Sequence, residues 1–168
     1  RPFLIMWGAS GAHLVLSLNP TTSRLEIIPG MPTWGSMPAA LAAASVPLSN
    51  NAWTCLEYHI LIHDTLGVVQ VKQDGVMVID LVGTAEQPVD TLRGGGGITS
   101  LQFASVAASP YVYRLYGYFD DIAINDTTGD INNSWPGRGG IHPMIPSGAG
   151  ALTQFTPDSG DNHARVSD

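Results

Sequence analysis

The feature that most restricts this chain is the alternation in "WTCLEYHILIHDTLGVVQVKQDGVMVIDLVG", residues 53–83. In its first third Leu56, Tyr58, Ile60 and Ile62 hold the even positions, while Trp53, Cys55, Glu57, His59, Leu61 and His63 hold the odd ones. A period of two puts the first set on an apolar face of a strand and the second on a mixed face, a segregation that no helix achieves. The breaks "DTLG" and "QDG" divide the remainder, so three successive strands are predicted over 53–63, 68–72 and 76–82. Asp74-Gly75 fits a two-residue hairpin turn, whose central residues adopt the positive φ that glycine tolerates.

The same period reaches from the start of the chain to about Asn125. "GAHLVLSLNP" alternates and ends in an Asn-Pro turn, and "SRLEIIPG" follows after "TT", so the two read as a hairpin of half-buried strands. Between them and Trp53 lies "MPTWGSMPAALAAASVPLSNN". Its alanines favour a helix, but Pro38 and Pro47 bracket only eight residues, too few to nucleate one, and a non-helical connection is expected. After "RGGGG", read as a flexible inter-strand loop, two more strands are predicted over 98–104 and 111–125. From Thr127 onward Gly and Pro recur without any period. Many short strands and Gly-rich turns give the fold class: an all-β, two-sheet antiparallel jelly-roll sandwich over 1–126, with an irregular, extended Gly/Pro-rich arm or linker over 127–168.

Composition narrows the function classes. The hydrophobic fraction of 44% is enough for a real core, whereas only 12% of the 168 residues are charged. That is about half the usual share of roughly 25%. Such a surface is covered by neutral groups or by other protein chains. With a net charge of -7 and seven Lys plus Arg spread singly, nucleic-acid binding through phosphates is not expected. The longest apolar stretches are short and interrupted by Pro, so no membrane insertion is expected either. Cys55 is the only cysteine, which rules out an internal disulfide or a CxxC zinc site and leaves a plain structural thiol.

Catalytic constellations are absent from the pattern. Glycoside hydrolysis needs two carboxyl groups about 5 to 9.5 Å apart, and the 53–63 strand offers Glu57 alone. Asp120 and Asp121 are neighbours and would face opposite sides of a strand. No G-x-S-x-G elbow occurs, and "RGGGG" lacks the Lys and Ser/Thr of a phosphate loop and leads into a strand. No catalytic or cofactor-binding residue is therefore assigned. Two binding chemistries remain. Asp120, Asp121, Asn125 and Asp126 carry oxygens of the type that calcium takes, although the same residues build Asx turns, which is the preferred reading. On the mixed face, Trp53, Glu57 and His59 form a candidate glycan-binding set, with an aromatic ring for stacking beside polar groups.

Three stretches in order carry a family resemblance: "W..LEYHI.I.DT.G.V.VK.DG..VID..GT" from Trp53, "YGYFDDIAINDTTGDINNSWPG" from Tyr116, and "IPSGAGALTQFTPDSGDNHARVSD" from Ile145. Together they resemble bacteriophage and prophage virion proteins (tail, fibre or other surface components) with a concanavalin A-like, or laminin-G-like, jelly roll. The matching positions include Trp53, Glu57, Asp74, Gly75, Asp120, Asp121, Asn125, Asp126, Trp135 and Gly137. What the resemblance implies is a non-enzymatic structural subunit of a virion or virus-like extracellular filament. Its partners would be copies of itself or other virion subunits, with the arm strapped across a neighbour. The rival expectation is a lectin-like module that binds a surface glycan, with calcium as its one candidate cofactor.

Overall fold

The computed structural model describes residues 2–31, 38–103, 117–126, 128 and 134–137. Eight strands and no helix occur among them: β1 (Pro2–Trp7), β2 (Ala12–Leu18), β3 (Arg24–Pro29), β4 (Ala42–Pro47), β5 (Leu56–Leu61), β6 (Val68–Gln73), β7 (Val76–Val82) and β8 (Ser100–Phe103). They form two antiparallel sheets, a five-stranded one in the order β4-β3-β2-β1-β8 and a three-stranded one in the order β5-β6-β7. Phe3, Leu4, Met6, Leu14, Leu16, Leu25 and Ile27 of the larger sheet share one buried cluster with Val69, Val71, Val78 and Ile79 of the smaller. The two sheets thus face each other as a β-sandwich.

Turn chemistry fixes the hairpins. Asn19 accepts the N–H groups of Thr21 and Thr22 on its Oδ1 (2.9 and 3.1 Å) and donates from Nδ2 to Glu26 (2.7 Å), which closes the β2–β3 turn. Asp74 and Gly75 both have positive φ, 51° and 83°, as a type I′ turn demands. The Asp74 carboxylate also accepts the Cys55 N–H at 3.1 Å, tying the segment before β5 to this turn. In β5 the residues Leu56, Tyr58 and Ile60 pack on the core, as the even-position pattern requires.

Four expectations change. The Ala-rich segment becomes the edge strand β4, with Ala42 and Ala43 opposite Ile27 and Glu26. Alanine has little intrinsic preference for strands, but β3 offers an unpaired edge, and Pro47 can end an edge strand without losing a ladder bond. Second, β1 and β2 are buried on both faces rather than half-buried, and β3 is so only at Ile28, since Arg24 is exposed and Glu26 half-buried. Ile5, Val15, Ile28 and Ala12 form a second cluster on the far side, joined by Trp7 and Met31. The near-continuous apolar runs "FLIM" and "HLVL" are what doubly covered strands look like.

Third, the "RGGGG" loop connects β7 to β8 but is pinned rather than loose. His13, fully buried on the far face of β2, accepts the N–H groups of Arg93 (3.1 Å) and Gly94 (3.0 Å) on Nδ1. Its proton therefore resides on Nε2, which donates to the Gly97 carbonyl at 3.3 Å. Ser10 adds bonds from its N–H (2.7 Å) and hydroxyl (2.9 Å) to the Gly94 carbonyl. The approach is close enough that a Cβ at Gly94 would run into the Gly11 carbonyl oxygen. Fourth, no strand covers 117–125. Residues 117–126 are irregular and exposed, and Asp121 has a φ of 52°. The earlier part of that expected strand, 111–116, lies outside the described residues, as does the arm beyond 137.

Candidate functional site

The solvent face of the three-stranded sheet carries a set of polar side chains in register. Strand register sets its rows: His59 lies opposite Gln70 and Gln70 opposite Asp80, while Glu57 lies opposite Lys72. Side chains in such rows are neighbours across the strands, and here they bond. Asp80 accepts the Gln70 Nε2–H at 2.7 Å, which turns Gln70 Oε1 toward His59 Nδ1, 2.9 Å away. That nitrogen must then carry the imidazole proton, and Nε2 is left as the acceptor of the neutral ring.

Residues 134–137 lie over one end of this face. The Gly137 N–H donates to Glu57 Oε1 at 2.8 Å. The Trp135 ring receives the Lys72 ammonium 4.0 Å from its centroid and stands edge-on to His59 at 6.0 Å and 75°. A cation–π contact at a partly exposed position contributes about 0.5 to 1 kcal/mol. Glu57 is only 6% exposed, although it occupies the outward face of β5. The covering segment accounts for that burial.

The glycan candidates therefore separate. His59 belongs to the row just described. Glu57 is engaged by Gly137 beneath the Trp135 segment. Trp53 precedes β5, is 71% exposed, and makes no ring contact or hydrogen bond with either among the described residues. Gln70, Lys72, Asp80 and Trp135 were not singled out by sequence reasoning as one site. The signal for the first three lay in the register that the 64–67 and 74–75 turns impose; Trp135 joins only through the tertiary fold.

The calcium candidates lie in local turns and irregular chain. The Asp121 N–H donates to Asp120 Oδ1 at 2.9 Å, so the two aspartates are linked along an irregular segment instead of facing opposite sides of a strand. Asp126 Oδ1 accepts both the hydroxyl (2.6 Å) and the N–H (2.9 Å) of Thr128, and these bonds, the hydroxyl first, hold its carboxyl below the usual aspartate range. Asn125 donates from Nδ2 to the Ser134 carbonyl at 3.0 Å, which tethers this turn to the segment that covers Glu57. Among the described residues no three of His, Cys, Asp and Glu come together as a metal set.

Two buried polar groups stand apart from this face. Tyr58 points its hydroxyl into the core without a hydrogen-bond partner among the described residues, and burial pushes its pKa far above the usual tyrosine value. Thr91, fully buried, donates to the Leu61 carbonyl at 2.8 Å and accepts the His63 N–H at 2.9 Å, fastening the loop after β7 to the end of β5.

On the larger sheet, one of the two edges among the described residues is β4 and the other is β8, which pairs with β1 alone. Phe119 rests there, 5.5 Å from Phe103 and 6.5 Å from Phe3 between ring centroids. Around it Tyr118 is 88% exposed, Ile124 70% and Ile122 55%. Comparison with protein-family models, with curated proteins and with solved structures finds no match to this chain.

Proposed function

We propose that the chain is a non-enzymatic structural subunit of a phage virion or virus-like extracellular assembly, a concanavalin A-like jelly roll that associates with copies of itself or with other virion subunits. The observation that carries this reading is the exposed apolar run Tyr118, Phe119, Ile122 and Ile124 beside β8, an edge of the larger sheet among the described residues. Four large apolar side chains in seven residues, next to strand groups with no ladder partner among the described residues, form a surface that free monomers usually guard with charge. The run contains only Asp120 and Asp121 as charges, and Asp120 Oδ1 already accepts the Asp121 N–H. A neighbouring subunit would bury the run and pair with the edge, in an interface of more than about 1,000 Å². The low charged fraction of 12% supports the same reading.

The arm over 127–168 is assigned the role of a strap in that assembly. Of its described residues, Thr128 and 134–137, the latter lie on the chain's own sheet at Glu57, so the strap would reach a neighbour only beyond Gly137. Sedimentation velocity over a hundredfold concentration range tests the proposal. Concentration-dependent growth beyond the monomer, weakened in an Ile122→Ser/Ile124→Ser variant that melts like the parent, is the expected result. A monomer at every concentration would oppose it.

A further inference from the structure

We propose that His63 is a proton-operated switch at the corner where the β5–β6 turn meets the loop after β7, so that protonating its ring unclamps that loop at Val89. The ring's Nδ1 stands within reach of two kinds of partner that it cannot serve together. It accepts the N–H groups of Thr65 at 3.0 Å and Leu66 at 2.9 Å, which caps the turn. A backbone N–H can only donate, so in this state Nδ1 is unprotonated and the ring proton is on Nε2. Yet Asp64 Oδ1 lies 2.8 Å from the same Nδ1. A carboxylate only accepts, and this contact becomes a hydrogen bond only when Nδ1 carries a proton. One nitrogen thus chooses between two patterns: two backbone bonds for the neutral ring, or one charge-assisted bond to Asp64 for the imidazolium.

Solvent reaches the trigger, while the part it acts on is tightly packed. The His63 and Asp64 side chains are 43% and 68% exposed, so a proton arrives without unfolding. Imidazole is also the side chain that ordinarily changes charge between about pH 5 and 8. The Thr65 carbonyl accepts the Val89 N–H at 2.7 Å, the Gly67 N–H donates to the Val89 carbonyl at 2.9 Å, and Leu66 and Val89 form an isolated parallel bridge. The corner has no slack: a Cβ at Gly67 would strike Thr91 and the Val89 carbonyl, and one at Gly83 the Thr65 carbonyl. A turn that loses two of its own bonds therefore displaces the atoms that hold Val89. The His63 backbone stays in place, because buried Thr91 accepts its N–H at 2.9 Å and donates a backbone N–H to its carbonyl at 2.9 Å.

The surrounding charges leave Asp64 as the partner of the protonated ring. Leu61, Val68 and Val82 form the strand row next to the turn and carry none, and His59 and Asp80 stand one row further away. On the loop after β7, Asp90 is paired with Arg93 at 3.2 Å and accepts the Leu92 N–H, while Glu86 is exposed and makes no ion pair among the described residues. The Thr65 hydroxyl donates to Asp64 Oδ1 at 3.1 Å, which holds that carboxylate beside the ring. Every part of the switch lies within one chain, so it is independent of self-association.

NMR of the full chain between about pH 8 and about pH 5 tests the proposal, with the His63 ring nitrogen signals recording its protonation. The Thr65 and Leu66 amide protons are expected to shift with the His63 midpoint. Their exchange protection, corrected for the intrinsic effect of pH, should fall about tenfold or more on the acid side. Val89 should lose protection with them, whereas the Thr91 amide, held by the His63 carbonyl, should keep its own. In His63→Asn, whose amide oxygen can accept the same N–H groups without titrating, these responses should vanish; in His59→Gln they should persist. Thr65 and Leu66 amides that ignore the His63 titration overturn the proposal, as does Val89 protection that is equal on both sides of the midpoint. So does a response that survives in His63→Asn or is lost in His59→Gln.

Discussion

Replacing His13 by alanine gives a stability effect that follows from counted bonds. The ring is fully buried, and its Nδ1 is the acceptor for the N–H groups of Arg93 and Gly94. Alanine would leave both donors without it inside the protein, at about 1 to 3 kcal/mol each. The sum, about 2 to 6 kcal/mol, excludes the cavity left by the ring, which adds to it. For a chain of this size each kcal/mol lowers Tm by about 2 to 4 °C, so a loss near the middle of the range corresponds to about 8 to 16 °C. His13→Asn is the informative partner, because its amide oxygen can stand near the Nδ1 position and accept one or both N–H groups. It should recover more than half of the loss. Thermal melts of the three proteins supply the numbers, and amide exchange at Arg93 and Gly94 should accelerate in the alanine variant alone. If His13→Ala melts within about 2 °C of the parent, or Asn is as damaging as Ala, the ring does not hold the glycine loop as described.

Tyr58→Phe should raise stability by about 1 kcal/mol, since it removes a buried hydroxyl that has no partner among the described residues; a lower Tm would show that the hydroxyl is bonded. The same residue sets an alkaline limit. Its folded pKa is raised by burial, so above the ordinary tyrosine value of about 10 the unfolded chain loses a proton that the native chain keeps. Stability from this group is complete below pH of about 10 and falls above it by up to about 1.4 kcal/mol per pH unit, a slope that Tyr58→Phe should remove from alkaline denaturation curves. Glu57→Gln keeps an acceptor for the Gly137 N–H and should melt close to the parent, whereas Glu57→Ala should cost about 1 kcal/mol and expose Trp135 to fluorescence quenchers. Millimolar calcium should leave Tm unchanged, because Asp126 is held by Thr128 and Asp120 by the Asp121 N–H; a rise of several degrees would instead mark a site bound well below the millimolar range.

The smaller sheet was legible because local chemistry specified it. Alternation assigned Leu56, Tyr58 and Ile60 to the core, and Asp74-Gly75 placed the β6–β7 turn. β4 was not legible, since alanines carry no strand signal and the segment is a strand only through the free edge of β3. β1 was not singled out either; "FLIM" is apolar at every position, and a strand covered on both faces shows no period. At 117–125 a period of two was present without a strand, because Tyr118, Ile122 and Ile124 remain in solvent in the isolated chain. As for the outer face, His59 was identified from its strand position. Its partners Gln70 and Asp80 follow only once register is known, and Trp135 only once the segment after the Asp126 turn is seen to return to β5.

Electron microscopy of the native particles tests the structural-subunit proposal most directly. Rings, tubes or filaments built from this sandwich, with Tyr118, Ile122 and Ile124 covered by an adjacent subunit along β8, are the predicted result. Dispersed single sandwiches, or an ordered assembly in which those three side chains still face solvent, would contradict it.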